Sequence, residues 1–280
     1  MDVDPGDRLP ISEVGEWALE KHERLRKYVD ISRQARRKYI DPSRSKLRGA
    51  VGGATYIDLF CGPGRCRVRE TGEIIDGSPL VAYKAAVAGK VQFTEIHLAD
   101  LNADFSAAAA SRVNALSGHA MGYCGSAETT VQEIVSRLNP AGLHFAFLDP
   151  FNLEGLCFEV IRRLSSLQRI DLLLHVSVQD LQRNLDRYIA AENSPLDSFA
   201  PGWREHVDVK QAMPAFRAAL LEYWQSLVGQ LGFPHQWGEL VTGSRGQRLY
   251  WLIFLSRHER ANEFWNKIRH ISGQKTLGLE

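Results

Sequence analysis

Five short apolar segments punctuate the first two thirds of the chain, with helical stretches between them. They are 56–60 (YIDLF), 93–99, 120–124, 144–148 (HFAFL) and 172–178, and each runs into a polar turn. A strand buried on both faces reads as a continuous apolar run, and parallel strands need a crossover of the kind a helix supplies. The alternation therefore predicts an α/β fold, a mostly parallel sheet with helices on both faces. The 280 residues are enough to bury such a core. No apolar run approaches the roughly 18 residues of a membrane span. The opening MDVDPGDRLP is polar and acidic, unlike a signal peptide.

Residues 16–40 read as one helix, with Trp17, Lys21, Leu25 and Tyr28 on a single stripe. Asp41-Pro42 ends it, because the residue before a proline is pushed out of the helical region. A basic connector, 43–53, leads into the first strand and its turn, Cys61-Gly62-Pro63-Gly64. Residues 65–76 read as a polar loop. The next helix starts at Gly77-Ser78-Pro79, with Ser78 as its N-cap and Pro79 in the first helical position, and stops at Gly89. Further helices are expected at 105–116, 129–138 and 155–167. After Asp180 the pattern changes to a helical insertion, 180–235, with an irregular middle at 193–203 and a second helix at about 213–230. Strands 238–242 and 249–256 follow, joined by Gly243-Ser244-Arg245-Gly246, which has hairpin chemistry, and 259–271 is a last helix. A parallel sheet closed by an antiparallel hairpin is the pattern of a Rossmann-like S-adenosylmethionine methyltransferase fold. The expected organisation is one such domain over 1–280, with a basic N-terminal helical extension, 1–53.

Open α/β sheets bind ligands at the carboxyl ends of their strands. The first strand delivers Asp58, Gly62 and Gly64, and glycines let a backbone bend sharply and approach a ligand. The second delivers Asp100, an acid able to accept hydrogen bonds from two ribose hydroxyls. The third delivers Ser126 and Glu128, placed for an adenine, and the fourth Asp149-Pro150-Phe151-Asn152. Asp76 and Ser78 complete the set from the enlarged loop. Each element alone serves structure more often than binding; together and in this order they point to S-adenosylmethionine. A nicotinamide fingerprint is GxGxxG opening directly into a helix that cradles a pyrophosphate. Here Arg65-Cys66-Arg67 follow the GPG turn, and the helix waits until Pro79.

Asp149-Pro150-Phe151 resembles the (Asp/Asn/Ser)-Pro-Pro-(Tyr/Phe) motif of amino methyltransferases, with one proline absent. In those enzymes the polar residue binds the target amino group and the aromatic stacks on a flipped base. Two readings stand. Asp149 and Asn152 form a catalytic acceptor site in which Asp149 orients or deprotonates the acceptor, or the segment is a strand-ending turn in which Asn152 caps the next helix. Cys61, Cys66, Cys124 and Cys157 form no CxxC pair, and the histidines no HxH or HExxH pattern. The cysteines read as small buried residues of a reduced, cytoplasmic protein without a metal site, and His175 as a core residue.

Charge is uneven. The window 21–48 holds eleven Lys or Arg against three acids, a net +8 in a chain of net +1. Lys21, Arg33, Arg36, Arg37 and Lys38 are candidate phosphate contacts for nucleic acid; the alternative is a solvated helix face.

Several segments are similar to the three-Cys-motif partner (TcmP) family. They are Glu20-Lys21-His22 through Tyr28, YIDLFCGPGRCR at 56–67, GEIIDGSPLVAYKA at 72–85, FLDPFN at 147–152 and YWLIFLS at 250–256. The resemblance implies a bacterial or phage protein with a methyltransferase-like core, whose partner is a radical S-adenosylmethionine protein bearing the three cysteines. The four cysteines here are then no cluster site. The function expected is methyl transfer from S-adenosylmethionine to nucleic acid, tRNA or DNA, alongside that partner. The alternative is a non-catalytic nucleic-acid-binding or specificity subunit of it.

Overall fold

The structure, a computed structural model, describes residues 2–44, 52–242 and 247–269. The chain enters through β1 (Ser12–Val14), α1 (Trp17–Ile31) and α2 (Arg33–Ile40). Then come β2 (Ala54–Asp58), β3 (Arg65–Val68), β4 (Ile74–Asp76) and α3 (Ser78–Ala88). Helices and strands alternate through β5 (Glu95–Asp100), α4 (Ala103–Ala115), β6 (Ala120–Cys124), α5 (Ala127–Arg137), β7 (Leu143–Leu148), α6 (Phe158–Ser165) and β8 (Ile170–Ser177). Four helices follow: α7 (Val178–Ala190), α8 (Pro195–Phe199), α9 (Trp203–His206) and α10 (Met213–Gln230). The strands β9 (His235–Thr242) and β10 (Arg248–Ser256) and the helix α11 (Glu259–Arg269) complete the fold.

Seven strands form one sheet in the order β6-β5-β2-β7-β8-β10-β9. All neighbours from β6 to β8 pair parallel, and β10 runs antiparallel to both β8 and β9. This is the expected α/β architecture, Rossmann-like, with its C-terminal antiparallel hairpin. The apolar runs are continuous because both sheet faces are covered. Ile57, Ala146, Leu148, Leu172 and Leu174 face one core with α5, α6, α7 and α10. Tyr56, Phe145, Phe147, Leu173 and Phe254 face the other, with Leu25, Tyr28 and Val29 of α1 and Trp265 of α11.

Several expectations need correction. The helix predicted over 16–40 breaks at Ser32 into α1 and α2. Arg36 occupies the break, donating to the Val29 carbonyl and to Ser32 Oγ at 2.5 and 2.8 Å. The polar loop 65–76 is the hairpin β3–β4, which β1 extends to three strands. Cys66 and Val68 are buried there and alternate with the half-buried Arg65 and Arg67, a period of two too short to stand out in the sequence. Gly77, not Ser78, caps α3, and Ser78 is its first residue. The helix expected at 155–167 is a 3-10 turn, Leu153–Gly155, followed by α6. The irregular stretch 193–203 holds α8 and leads into α9. The turn 243–246 and most of the connector 43–53 lie outside the described residues.

Candidate functional site

The strands β5 and β7 flank β2 on opposite sides, so the chain reverses its order there and leaves a crevice at the carboxyl edge, where ligands bind in such sheets. Asp58 closes β2 and is fully buried. Its Oδ2 accepts hydrogen bonds from Tyr56 Oη at 3.0 Å and Ser78 Oγ at 2.6 Å, and its Oδ1 from the Phe60 amide at 3.2 Å. Burial pushes its pKa up to about 7 against these three donors, so the carboxyl is close to half protonated at neutral pH. Ser78 thus anchors the first strand to α3.

The glycine loop is tied to the next strand. The Gly62 amide donates to Asp100 Oδ2 at 3.0 Å, and the Asn102 amide to Asp100 Oδ1 at 2.9 Å. Burial raises the pKa of Asp100. Gly62 and Gly64 have φ of +55° and +86°, in the left-handed region that favours glycine. A Cβ on Gly64 would come within 3.2 Å of the Ala109 Cα, whereas one on Gly62 would meet only Ser12 Oγ at 3.9 Å. Gly64 is needed for close packing against α4, and Gly62 lies beside open space. Each Asp100 oxygen accepts one amide and retains a lone pair, and Leu101 beside it is 78% exposed.

The other predicted cofactor residues lie around this centre in structural roles. Asp76 is ion-paired with Lys84 at 2.5 Å. Ser126 caps α5 by accepting from the Thr129 amide, and Glu128 is exposed in the first turn. The Gly125 amide, just before Ser126, donates to the Asp100 carbonyl at 3.0 Å and so brings this turn to the same edge. The segment before α1 straps the glycine loop from above. Arg112 donates to the Pro10 and Pro63 carbonyls and pairs with Asp7, holding the Asp7 carboxyl down at about 2.

Asp149 follows β7 and is held differently. Lys21 from α1 donates to its Oδ2, and His175 Nδ1 lies 3.5 Å from Oδ1. Burial works to raise its pKa, yet Lys21, through its charge and hydrogen bond, holds it below the ordinary value, and the neighbouring histidines add charge only below about pH 4. The Lys21 ammonium also sits 4.4 Å above the Trp17 ring. Asn152 accepts from the Gly155 amide at 3.2 Å and so caps the short turn after β7. Phe151 between them is 99% exposed.

This arrangement corrects the phosphate-contact assignment for two residues. Lys21 and Arg36 are both only 2% exposed, one paired with Asp149 and the other spent on backbone carbonyls. Arg24 of the same basic window makes a buried two-pronged pair with Glu239 of β9, at 2.6 and 2.9 Å. Arg33 pairs with its neighbour Asp30 at 2.7 Å. Arg37 is half-buried and Lys38 exposed. Lys21 and Arg24 therefore balance acids of the core, while Arg26, Lys27 and Arg33 pair with acids three or four residues earlier in the chain. Sequence reading missed the Lys21–Asp149 pair; the signal was a lysine inside an apolar stripe, which asks for a buried partner.

No family model matches the chain, and no curated protein does. Solved structures do. A Legionella pneumophila protein of family DUF519 is similar at a TM-score of 0.51 and 8% identity, over 88% of this chain and 89% of that one. An O-methyltransferase from Bacillus cereus, solved in complex with SAH, is similar at a TM-score of 0.49 and 10% identity, over 89% and 85%. The sheet order and the first of these likenesses agree on an α/β, Rossmann-like fold. At these identities the likeness concerns the path of the chain, and the chemistry rests on the residues at the carboxyl edge. Among the described residues no group of three or more His, Cys, Asp or Glu side chains is placed to hold a metal ion, and no helix is long and apolar enough to cross a membrane.

Proposed function

We propose that this protein binds S-adenosylmethionine at the carboxyl edge of the sheet and transfers its methyl group to nucleic acid. The observation that carries the reading is Asp100: its carboxylate closes the glycine loop through the Gly62 amide and keeps lone pairs at the mouth of the crevice. Two adjacent hydroxyls, as on a ribose, suit those lone pairs. The open side of Gly62 and the exposed Leu101 suit a backbone-hugging chain and a flat adenine. When bound, S-adenosylmethionine supplies a methyl group activated on a sulfonium sulfur. Asp149, ionised at neutral pH, accepts a hydrogen bond from the acceptor amine and orients its lone pair. Phe151 offers an exposed ring beside it for stacking a base. Of the predicted phosphate contacts, Arg33, Arg37 and Lys38 remain for the strand. The resemblance to the TcmP family supports a radical S-adenosylmethionine protein with a three-cysteine motif as the partner.

Calorimetry with S-adenosylmethionine is expected to give micromolar binding, about −7 to −8 kcal/mol. Asp100→Ala should weaken it by about 1.5–3 kcal/mol, the scale of lost hydrogen bonds to a charged group. Absence of heat with the wild-type protein overturns the reading. The ion pair between Lys21 and Asp149 favours a second reading, a non-catalytic specificity subunit, because the residue placed for the acceptor is already paired. Single-turnover transfer of labelled methyl to tRNA, DNA and protein separates the two. Labelled nucleic acid supports the enzyme; cofactor binding without any labelling, together with a faster partner reaction, supports the subunit.

A further inference from the structure

A second cavity, of about 520 Å³, opens at the opposite, amino-terminal edge of the sheet. It lies between α2, the first residues of β2, β7 and β8, the end of β10 and the start of α11. That volume is in the range of small-molecule sites. Its walls include the rings of Tyr39, Phe93, Phe145 and Phe264. Three cations line it from three separate elements: Lys38 on α2, Arg169 in the turn before β8, and Arg260 in the first turn of α11. Among the described residues none of the three forms an ion pair. The other arginines lining the cavity, Arg36 and Arg257, are spent on backbone carbonyls instead. Asp171 is the one carboxylate among the described lining residues, and Tyr28 Oη donates to it at 2.5 Å.

One lining histidine is itself buried. His144 lines the cavity and is 1% exposed. Its Nε2 lies 3.1 Å from the Asn139 carbonyl, which assigns the ring hydrogen to Nε2. Nδ1 is then an acceptor, and among the described residues it has no hydrogen-bond partner. This nitrogen is closed off from solvent and from the cavity, so it takes no part in binding. The lining makes two demands: a flat body for the aromatic walls, and negative charge for Lys38, Arg169 and Arg260.

We infer that this cavity binds a phosphomonoester carrying a nucleobase, either a free nucleoside monophosphate or the 5′-phosphorylated end of a strand. Stacking between the rings holds the base whatever its sequence. The phosphate meets the two guanidinium groups and the ammonium, where charge-assisted hydrogen bonds are strongest. The site is separate from the carboxyl edge, and its occupancy does not depend on methyl transfer.

The test is calorimetry on the full chain with cytidine 5′-monophosphate, a pyrimidine nucleotide chosen so that an adenosine site takes no part. Cytidine without phosphate should bind at least about tenfold more weakly, as should the triple variant Lys38→Ala, Arg169→Ala, Arg260→Ala. Ala35→Trp, on the half-buried face of α2 that lines the cavity, should abolish binding by filling it. Asp100→Ala should retain it, which separates this site from the cofactor reading. A 5′-phosphorylated oligocytidylate that binds more tightly than the mononucleotide identifies the strand end; an equal or weaker one identifies the free nucleotide. The inference fails if neither probe binds, or if both bind the triple variant and Ala35→Trp as tightly as the wild type.

Discussion

Asp58 and Asp149 end neighbouring, hydrogen-bonded strands, yet the two halves of the carboxyl edge treat them in opposite ways. On the glycine-loop side, Asp58 meets only neutral donors: a phenol, a serine hydroxyl and an amide. Burial wins there, and the carboxyl is pushed up to about 7. On the β7 side, Asp149 meets an ammonium, and the carboxyl is held below its ordinary value despite its burial. Hydroxyls satisfy lone pairs without supplying charge, so they cannot offset the loss of hydration that a full cation offsets. One aspartate serves as a structural latch between β2 and α3; the other is a standing negative charge paired with Lys21 of α1.

Removing the cation breaks this contrast most directly. Lys21→Met leaves Asp149 without its ion pair, and stripping one partner from a buried pair costs about 3–5 kcal/mol. Because the Asp149 side chain keeps 19% exposure, the lower end of that range is expected, read as a shift of the urea midpoint at pH 7. The double variant Lys21→Met, Asp149→Asn should recover most of the loss, since no charge is then stranded. A single-variant cost below about 0.5 kcal/mol, the scale of an exposed pair, would show that Lys21 does not hold α1 to the sheet.

The same contrast predicts opposite pH dependences. The folded-state pKa of Asp58 lies above its unfolded value near 3.8, so the native state binds the extra proton between about pH 4 and 7. Its stabilising share is complete below pH 4 and is lost as pH rises through 7, a change of a few kcal/mol. The pKa of Asp149 is lowered, so its share is present above about pH 4 and is lost as acid protonates it. Urea midpoints of wild type, Asp58→Asn and Asp149→Asn from pH 3 to 8 separate them. Subtracting Asp58→Asn from wild type should leave a slope falling between pH 4 and 7. Subtracting Asp149→Asn should leave one falling only toward lower pH. Parallel curves for all three would mean that both carboxyls titrate as if exposed.

What the sequence made legible follows the same division between local and distant causes. The parallel strands, the crossovers and the closing hairpin are written in runs of apolar residues and in turn chemistry. Met213–Gln230 and Ala120–Cys124 match their expected bounds because periodicity and flanking breakers act within a few residues. The strand-end order Asp58, Gly62, Asp100, Asp149 was legible because topology alone gathers it. The partners of these residues were not. Lys21 and Asp149 belong to elements far apart in the chain, and the basic window gave no sign that Lys21, Arg24 and Arg36 turn inward. The Ser32 break was equally silent, because Arg36 satisfies the carbonyl through tertiary geometry rather than through a capping residue.

The smallest expected effect sharpens the account of what balances Asp149. His175 lies 3.5 Å from its Oδ1, close enough to pass for a second cation. Burial pushes the His175 pKa down to about 4, and the nearby Lys21 charge opposes protonation further, while Asp149 pulls the other way. At neutral pH the ring is therefore uncharged, packed 4.4 Å from Tyr250 and stacked on Trp17. At neutral pH Lys21 alone supplies the balancing charge, and the histidines join it only in acid. His175→Gln should then cost only the ring contacts, about 0.5–1 kcal/mol, with no change in that cost between pH 5 and 8. The direct check is the titration of the His175 ring by NMR, expected to bend near pH 4 and to stay flat above 5. A bend at or above the ordinary histidine value of about 6.5 would mean an imidazolium beside Asp149. The carboxylate would then be shared between two cations, and the Lys21→Met loss predicted above would shrink as the pH is lowered, because the histidine would take up the charge that the lysine leaves behind.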